Sequence, residues 1–247
     1  MADPTGLADT RCLVVGAASG IGDAVATLLA GASAGAEFVA ADLPTARWPD
    51  PRPGEHRVDI DVTDPSSVDA AVAAAGEALG RIDAVVNCAG VLGRVQPSSH
   101  ETVQEFERLL AVNLTGAFIL SRAVLPAMAA RGYGRLVHLS STAGKEGSAG
   151  MTGYSAAKAG VLGLVKALAR EYADTGVTVN AIAPGTVETP LIAAMSERQR
   201  AEKRRLIPMG RFGLPREAAE LIAFVISPQA SFTTGAVFDL SGGRATY

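Results

Sequence analysis

The chain has 247 residues, of which 48% are hydrophobic but only 5% are aromatic, and its formal net charge is −3. This length suits one sizeable α/β domain, and the slightly acidic balance excludes an electrostatic footprint for nucleic acid or for an anionic membrane. The two cysteines, Cys12 and Cys88, form no C-x-x-C pair, so we expect no disulfide framework and no metal site.

The N-terminal segment carries Asp3 and Asp9 and has no hydrophobic core, so we expect no signal peptide. No stretch approaches about 18 uncharged apolar residues, which predicts that nothing spans a membrane. We therefore expect a cytoplasmic protein whose partner is a small molecule, with no nucleic-acid or membrane partner.

A glycine-rich loop follows the first predicted strand, residues 11–15, and an amphipathic helix pattern follows the loop. In such a unit one glycine permits the tight turn, the next lets the backbone approach a pyrophosphate, and the third lets the helix pack on the strand. The free N–H groups of the helix then face the phosphates. The loop predicts a dinucleotide site that includes Gly16, Ser19, Gly20, Ile21 and Gly22.

The second predicted strand, residues 38–41, ends at Asp42. An acidic group at this place can accept hydrogen bonds from the adenosine ribose hydroxyls, and it repels the 2′-phosphate of NADP. The alternative is an aspartate that only caps a turn. Arg47 is a cation that could offset the repulsion and permit some use of NADP. We expect the cofactor to be NAD, with NADP disfavoured.

Strands and helices alternate through the rest of the chain. Strands are predicted at 58–62, 82–86, 135–139, 177–182 and 236–240, and helices at 65–79, 102–112, 113–131, 150–172 and 215–226. This alternation predicts an α/β fold with a doubly wound parallel sheet of about seven strands, Rossmann-like, with helices on both faces. We expect a single domain over 1–247, with a cofactor-binding half at about 8–140 and a catalytic and substrate-lid half at about 141–247.

Tyr154 and Lys158 are four residues apart on a predicted helix, so the phenol and the ammonium lie on one face. A lysine charge ~4 Å from a phenol, at an effective dielectric of ~20, favours the phenolate by about 4 kcal/mol. That equals roughly three pK units and would bring a tyrosine towards neutrality, where it can exchange a proton with an alcohol. The pair alone could equally be a chance meeting on a helix.

With these pieces in order, the chain resembles the short-chain dehydrogenase/reductase family over nearly all of its length. The matching residues are Gly16–Gly22, Asp61 and Val62, Asn87–Gly90, Asn113, Ser140 and Ser141, Tyr154–Lys158 and residues 184–189. The resemblance implies that Tyr154 is the general acid/base and that Lys158 lowers its pKa and binds the nicotinamide ribose. It implies that Ser141, rather than Ser140, holds the substrate oxygen, and that Asn113 bends its helix and positions a water in a proton relay.

The resemblance also implies the cofactor contacts. Asp61 and Val62 are expected at the adenine. Thr189 is expected at the nicotinamide carboxamide. The remaining segments expected along the cofactor contain Asn87, Ala89, Gly90, Pro184, Gly185 and Val187.

Residues 188–212, after the sixth predicted strand, are expected to form a lid over the substrate. The substrate expected from the charges of this region is a sugar, a sugar acid or another polar hydroxyl compound. The charged residues are Arg198, Arg200, Lys203, Arg204 and Arg205 in the lid segment, and Arg94, Lys145 and Glu146 outside it. A solvated helix face explains the lid charges as well.

Three functions remain open. The first is an NAD-dependent secondary-alcohol dehydrogenase, and the second is a 3-oxoacyl thioester reductase of the same family, usually NADPH-linked, against which Asp42 argues. The third is a non-catalytic dinucleotide sensor, for which an incomplete set of catalytic residues would be expected. A serine hydrolase is disfavoured because the chain has no G-x-S-x-G motif.

The helices at 113–131 and 154–172 are apolar on more than one face, as the run Phe118, Ile119 and Leu120 illustrates. A helix that is apolar all round is buried all round, so a second subunit is expected to cover part of it. The family resemblance implies a homotetramer.

Overall fold

A computed structural model describes residues 7, 9–32, 37–193 and 195–245. Within these ranges seven strands form one sheet in the order β3-β2-β1-β4-β5-β6-β7, and all neighbours are parallel. The strands are β1 Cys12–Val15, β2 Phe38–Asp42, β3 Glu55–Asp59, β4 Ala84–Asn87, β5 Gly134–Leu139, β6 Val177–Pro184 and β7 Val237–Leu240. The predicted doubly wound α/β fold is confirmed.

Helices cover both faces of the sheet. They are α1 Gly20–Ala32, α2 Pro65–Leu79, α3 Val103–Leu110, α4 Gly116–Arg131, α5 Thr142–Glu146, α6 Thr152–Glu171, α7 Pro190–Ala193, α8 Glu197–Arg205 and α9 Pro215–Ile226. Successive residues of a strand point to opposite faces, so Leu13 packs in a core with α2, α4 and α6, whereas Val14 packs in a second core with α1 and α9.

The strand order reverses beside β1. The chain runs from β1 to β2 and β3 on one side and then returns to place β4 on the other side of β1. In an open parallel sheet, the carboxyl ends of the strands at such a reversal leave a crevice between the loops that diverge from it. The glycine loop after β1 and the Asn87–Gly90 segment after β4 therefore face the same crevice.

Two predicted boundaries were wrong. The third strand spans Glu55–Asp59 rather than 58–62, because the chain leaves the ladder once Ile60 N has donated to Asp42 O. Ile60 and Val62 are buried in the core after the strand has ended, which explains the apolar run that suggested a longer strand.

The helices predicted at 102–112 and 113–131 form one continuous helical stretch. A π-helical turn, Ala111–Thr115, joins α3 to α4, and Asn113 lies in it. The expected irregularity at Asn113 is therefore a wider turn of the helix.

By length and composition, the stretch Val103–Arg131 is also long and apolar enough to cross a membrane, contrary to the sequence-based expectation that no segment would be. Half of its most apolar window is buried inside the protein, which is the pattern of a core helix.

Candidate active site

A cleft of about 810 Å³ opens at the carboxyl ends of the strands. This is a volume typical of small-molecule and cofactor sites. Eighteen of the nineteen residues predicted as catalytic or cofactor-binding line it, and the nineteenth, Asn87, lies just beneath the cleft. Gly185 lines the cleft as well, with its N–H donating to Leu240 O at 3.0 Å.

Two positions of the glycine loop have no room for a side chain. A Cβ on Gly22 would lie 2.0 Å from Gly16 O, and a Cβ on Gly16 would lie 2.7 Å from Ala89 N. Gly16 also has a φ of +78°, which favours glycine. The loop therefore brings α1, β1 and the segment after β4 into direct backbone contact, and it leaves the N-terminus of α1 open to the cleft.

Asp42 ends β2 with its carboxylate held by backbone amides. Ala18 N donates to Oδ2 at 2.9 Å, and Leu43 N donates to Oδ1 at 2.8 Å. Each carboxylate oxygen keeps a second acceptor position, so the group can still accept two hydroxyl donors. Arg47 lies outside the main cleft, in the wall of a smaller cavity beside Ser19 and Gly20.

Asp61 and Val62 line the same end of the cleft as Asp42. Thr63 donates to Asp61 Oδ1 through its amide at 2.9 Å and its hydroxyl at 2.7 Å, which fixes the carboxylate in the turn before α2. Val62 is buried against Gly116, where any Cβ would lie 2.8 Å from Val62 Cγ2. These contacts fix the position of this wall of the cleft.

Asn113 braces the segment after β4. Its Nδ2 donates to Val91 O at 2.9 Å and to Leu109 O at 3.0 Å, while its Oδ1 accepts from Val91 N at 3.2 Å. A Cβ on Gly90 would lie 2.8 Å from this Oδ1, so only glycine fits there. The side chain therefore connects the π-helical turn to the floor of the cleft.

A buried histidine, His138, supports Asn87 beneath the cleft. This histidine was not identified from the sequence. Asn87 Nδ2 donates to His138 Nδ1 at 3.1 Å, and His138 Nε2 lies 2.9 Å from Ser121 Oγ. Because Ser121 donates to Ala117 O at 2.7 Å, it accepts from His138, which assigns the Nε2–H tautomer. Burial lowers the pKa of His138 from 6.5 to about 3, so the ring stays neutral.

Asn87 completes this chain of hydrogen bonds by accepting from Ala89 N at 3.2 Å. Asn87 thus acts beneath the cleft by holding the Ala89–Gly90 backbone in place.

Ser141 and Tyr154 meet in the cleft, where a side-chain hydrogen bond joins them. Ser141 is the N-cap of α5, and its Oγ accepts from Ala143 N at 3.1 Å. Ser140 is buried and donates to Lys158 O at 2.8 Å, so it supports α6 from below. Of the two serines, Ser141 is the one whose hydroxyl reaches Tyr154.

Lys158 lies one turn after Tyr154 and is 4% exposed. Its Nζ donates to Leu139 O at 2.7 Å and lies 5.8 Å from the centroid of the Tyr154 ring. Burial lowers the pKa of Lys158 from 10.5 to about 8. The two side chains share a face, as predicted from their spacing.

The net shift in the pKa of Tyr154 is upward, opposite to the lowering expected from a nearby lysine charge. Burial raises the pKa of the phenol, and the hydrogen bond with Ser141 is what opposes that rise. The lysine ammonium bonds to a backbone carbonyl rather than to the phenol, so burial dominates the pKa of Tyr154.

The lid segment returns over the cleft after β6. Val187 is buried and forms a parallel bridge with Gly213, which closes the lid onto the start of α9. Thr189 packs beside Gly20, where a Cβ would lie 3.5 Å from Thr189 Cγ2. The lid thus reaches back to the glycine loop.

Three residues suggested as lining the substrate pocket do not line the cleft. Lys145 pairs with Asp239 at 3.0 Å, and Glu146 pairs at 3.4 Å with Arg244, which does line the cleft. Arg94 also lies outside the lining. Sequence reasoning missed residues that do line it, because they come from separate loops with no motif: Leu92, Val95, Arg108, Ser148, Met151, Ile192, Met195 and Arg244.

The fold and the site together define a class of protein. A glycine loop at the end of β1 lines one cleft together with a serine, a tyrosine and a lysine, which is an arrangement typical of a nicotinamide-dependent oxidoreductase.

Comparison with known proteins specifies the family. A family profile described as enoyl-(acyl carrier protein) reductase matches residues 16–245. The chain belongs to the short-chain dehydrogenase/reductase family.

Three curated relatives cover almost the whole chain. A 2-dehydro-3-deoxy-L-rhamnonate dehydrogenase (NAD(+)) of Sphingomonas sp. is 41% identical over 96% of this chain and 96% of its own length. A cis-4-hydroxycyclohexanecarboxylate dehydrogenase of Sinomonas cyclohexanicum is 40% identical over 96% of both chains. The 3-oxoacyl-(acyl-carrier-protein) reductase FabG of Vibrio cholerae is 39% identical over 94% of this chain and 95% of its own.

Proposed function

We propose that the protein is an NAD-dependent dehydrogenase that interconverts a secondary alcohol and its ketone, with a sugar acid or another polar hydroxyl compound as substrate. The observation that carries this proposal is that Ser141, Tyr154 and Lys158 line the same cleft as the glycine loop. Two of the relatives bear names of dehydrogenases that act on hydroxylated carboxylic acids, which supports the reaction class and the polar substrate.

The residues present fit a dinucleotide. Gly16 and Gly22 have no space for a side chain, and the open N-terminus of α1 suits a pyrophosphate. Asp42 retains two acceptor positions for ribose hydroxyls, and its charge disfavours a 2′-phosphate. These features favour NAD over NADP. The bound nicotinamide would supply the hydride chemistry.

The other contacts to the cofactor are assigned by position along the cleft. Asp61 and Val62 would flank the adenine, and Lys158 would hold the nicotinamide ribose. Thr189 would contact the nicotinamide carboxamide. The other residues that would lie along the cofactor are Ser19, Ile21, Ala89, Gly90, Pro184, Gly185 and Val187.

Tyr154 would handle the proton. In ketone reduction the phenol donates its proton to the carbonyl oxygen, and burial keeps the phenol protonated for this step. Ser141 would donate a hydrogen bond to the same oxygen as negative charge develops on it. In alcohol oxidation the phenolate accepts the hydroxyl proton, and the charged form of Lys158 would then favour it.

Asn113 and Lys158 would support the proton path. Lys158 has a pKa of about 8, so it can release or regain a proton near neutral pH. Asn113 holds the Val91 segment through its side chain, and the π-helical turn around it would position a water in the relay.

The test is Tyr154→Phe, which removes the phenolic proton while keeping the ring. We expect kcat to fall by about 10²- to 10⁴-fold while the dissociation constant for NADH, measured by fluorescence titration, changes less than about threefold. Tyr172→Phe, at the end of α6 and away from the cleft, is the matched control. A Tyr154→Phe variant with full turnover would exclude the proton-transfer role. NADH binding with no turnover on any alcohol or ketone, in the native protein, would instead support the dinucleotide sensor.

A second candidate is reduction of a 3-oxoacyl thioester, which the FabG relative supports. Acetoacetyl-coenzyme A assayed with NADH and with NADPH separates the two. Rapid reduction with NADPH and slow reaction with NADH would favour this candidate, and it would contradict the preference for NAD that Asp42 is expected to give.

We further propose a homotetramer in the cytoplasm. Phe118 on α4 is 49% exposed and Val103 on α3 is 67% exposed, although both belong to an otherwise apolar helical stretch. A second subunit could cover them. Both cysteines are free thiols, as suits a reducing compartment. Sedimentation as a monomer at micromolar concentration would contradict the tetramer.

A further inference from the structure

The cleft is electrically polarised from one end to the other. Its two carboxylates, Asp42 and Asp61, follow β2 and β3 at one side of the sheet. The charged residues towards the catalytic side are all cations, namely Arg108, Lys158, Lys203 and Arg244. Within the described part of the chain, no carboxylate lines that side. Such a field favours an anion at the substrate end.

The lid helix α8 contributes one of these cations. Three of its four arginines are committed to carboxylates outside the cleft: Arg198 pairs with Glu202 at 3.1 Å, Arg200 pairs with Glu188 at 2.7 Å, and Arg204 approaches Glu197 at 3.8 Å. The fourth, Arg205, is exposed and does not line the cleft. Lys203 differs from them. It lines the cleft, and among the residues that the structure describes no carboxylate lies within ion-pair distance of it.

The facing cations are already neutralised. Arg108 makes two hydrogen bonds to Glu105, at 2.7 and 2.8 Å, and Arg244 pairs with Glu146 at 3.4 Å. Met209 N donates to Gly242 O at 3.2 Å, which connects the end of the lid to the segment that carries Arg244. The substrate end of the cleft therefore holds one uncompensated surface cation in addition to the buried Lys158.

We propose that Lys203 binds a carboxylate of the substrate and that this contact selects hydroxy acids over neutral alcohols. One unpaired ammonium matches the single charge of a carboxylate, whereas a phosphate dianion would need more than one. The contact lies on the lid, so binding of the anion would also draw α8 over the cleft. This inference rests on the proposed dehydrogenase function and adds its substrate class.

The test compares carboxylates with their primary amides, which have nearly the same shape but no charge. Three pairs cover different skeletons: 4-hydroxycyclohexanecarboxylate, 3-hydroxybutyrate and a six-carbon aldonate, each against its amide. The variants are Lys203→Met, Lys203→Arg and Arg205→Met. Arg205 is exposed on the same helix and does not line the cleft, so its loss changes the net charge equally.

We expect the native protein to prefer at least one carboxylate in kcat/KM. Lys203→Met should lower kcat/KM for that carboxylate by about 10- to 100-fold and leave its amide within about twofold, because one charge-assisted hydrogen bond is lost. Lys203→Arg should retain most of the preference, and Arg205→Met should match the native protein.

Equilibrium binding separates this inference from the proposed function. Cyclohexanecarboxylate and its amide, and the non-reacting analogues of the other two pairs, are titrated calorimetrically into protein saturated with NADH. Carboxylate binding that depends on Lys203, without turnover, would support the anion site and overturn the dehydrogenase. Turnover of alcohols with no preference for any carboxylate, or a preference that survives Lys203→Met, would overturn the anion site alone. A raised dissociation constant for NADH in Lys203→Met, with the preference unchanged, would assign the lysine to the cofactor and also overturn it.

Discussion

Replacing His138 with asparagine should change how the stability of the protein responds to acid. His138 is 1% exposed, and burial lowers its pKa from 6.5 to about 3. An unfolded chain takes up this proton near pH 6.5, whereas the folded chain resists it until about pH 3. Between these values the unfolded state binds more protons, so the free energy of unfolding falls as the pH falls.

The size of the effect follows from this pKa difference. Because pH 5 lies about 1.5 units below the unfolded pKa, His138 should lower the free energy of unfolding at pH 5 by about 2 kcal/mol relative to pH 7.5. Asparagine cannot titrate here, so His138→Asn should lose about 2 kcal/mol less over the same interval. At pH 7.5 the variant should be less stable by about 1–3 kcal/mol, because Ser121 loses its donor while Asn87 keeps an acceptor.

Urea unfolding at pH 7.5 and pH 5, followed by far-ultraviolet circular dichroism at one protein concentration, measures both quantities. His56→Asn is the control, because His56 is exposed on the edge strand β3. We also expect the KM for NAD to rise in His138→Asn, since the Asn87–Ala89 contact borders the cleft. If the native protein and His138→Asn lose equal stability between the two pH values, His138 does not stay neutral and the assigned hydrogen-bond chain is incorrect.

Two further predictions concern the cleft. Asp42→Ala should raise kcat/KM for NADP by about tenfold or more, because the repulsion of the 2′-phosphate is lost. It should lower kcat/KM for NAD, because the acceptors for the ribose hydroxyls are lost as well. An unchanged ratio of kcat/KM for NAD to that for NADP would contradict the role of Asp42. Ser141→Ala should lower kcat by about 10²-fold with little change in stability. Ser140→Ala should instead lower the free energy of unfolding by about 1–3 kcal/mol, because Lys158 O then lacks its donor. The reverse pattern in kinetics and urea unfolding would exchange the roles of the two serines.

The fold and the position of the site were predictable because they depend on short-range patterns. The positions of the glycine loop and of the aspartate at the end of β2, and the shared face of Tyr154 and Lys158, each depend on backbone geometry within a few residues. The third strand was misplaced because Ile60 and Val62 are apolar for a different reason, namely burial after the strand has ended. Periodicity alone does not separate these two kinds of burial.

Contacts between distant residues were not predictable. His138 meets Asn87 and Ser121, which lie 51 and 17 residues away in the chain, so nothing near His138 signals the network. The raised pKa of Tyr154 depends on how deeply the phenol is buried, and the spacing of two residues does not contain that quantity. Among the lid cations, only the folded structure distinguishes Lys203 from its neighbours.

The π-helical turn at Ala111–Thr115 sets the angular phase between the two halves of a long helix. α3 packs against α6, while α4 packs against α2 and β5. A π-helical turn contains one residue more than the α-helical turn it replaces but advances through about the same angle. Deleting one residue from the turn would therefore restore regular α-helix and leave α3 and α4 facing their present partners, while it removed the widened turn that holds Asn113 against Val91. We infer that a shortened turn would keep the fold and lose the support of the cleft floor.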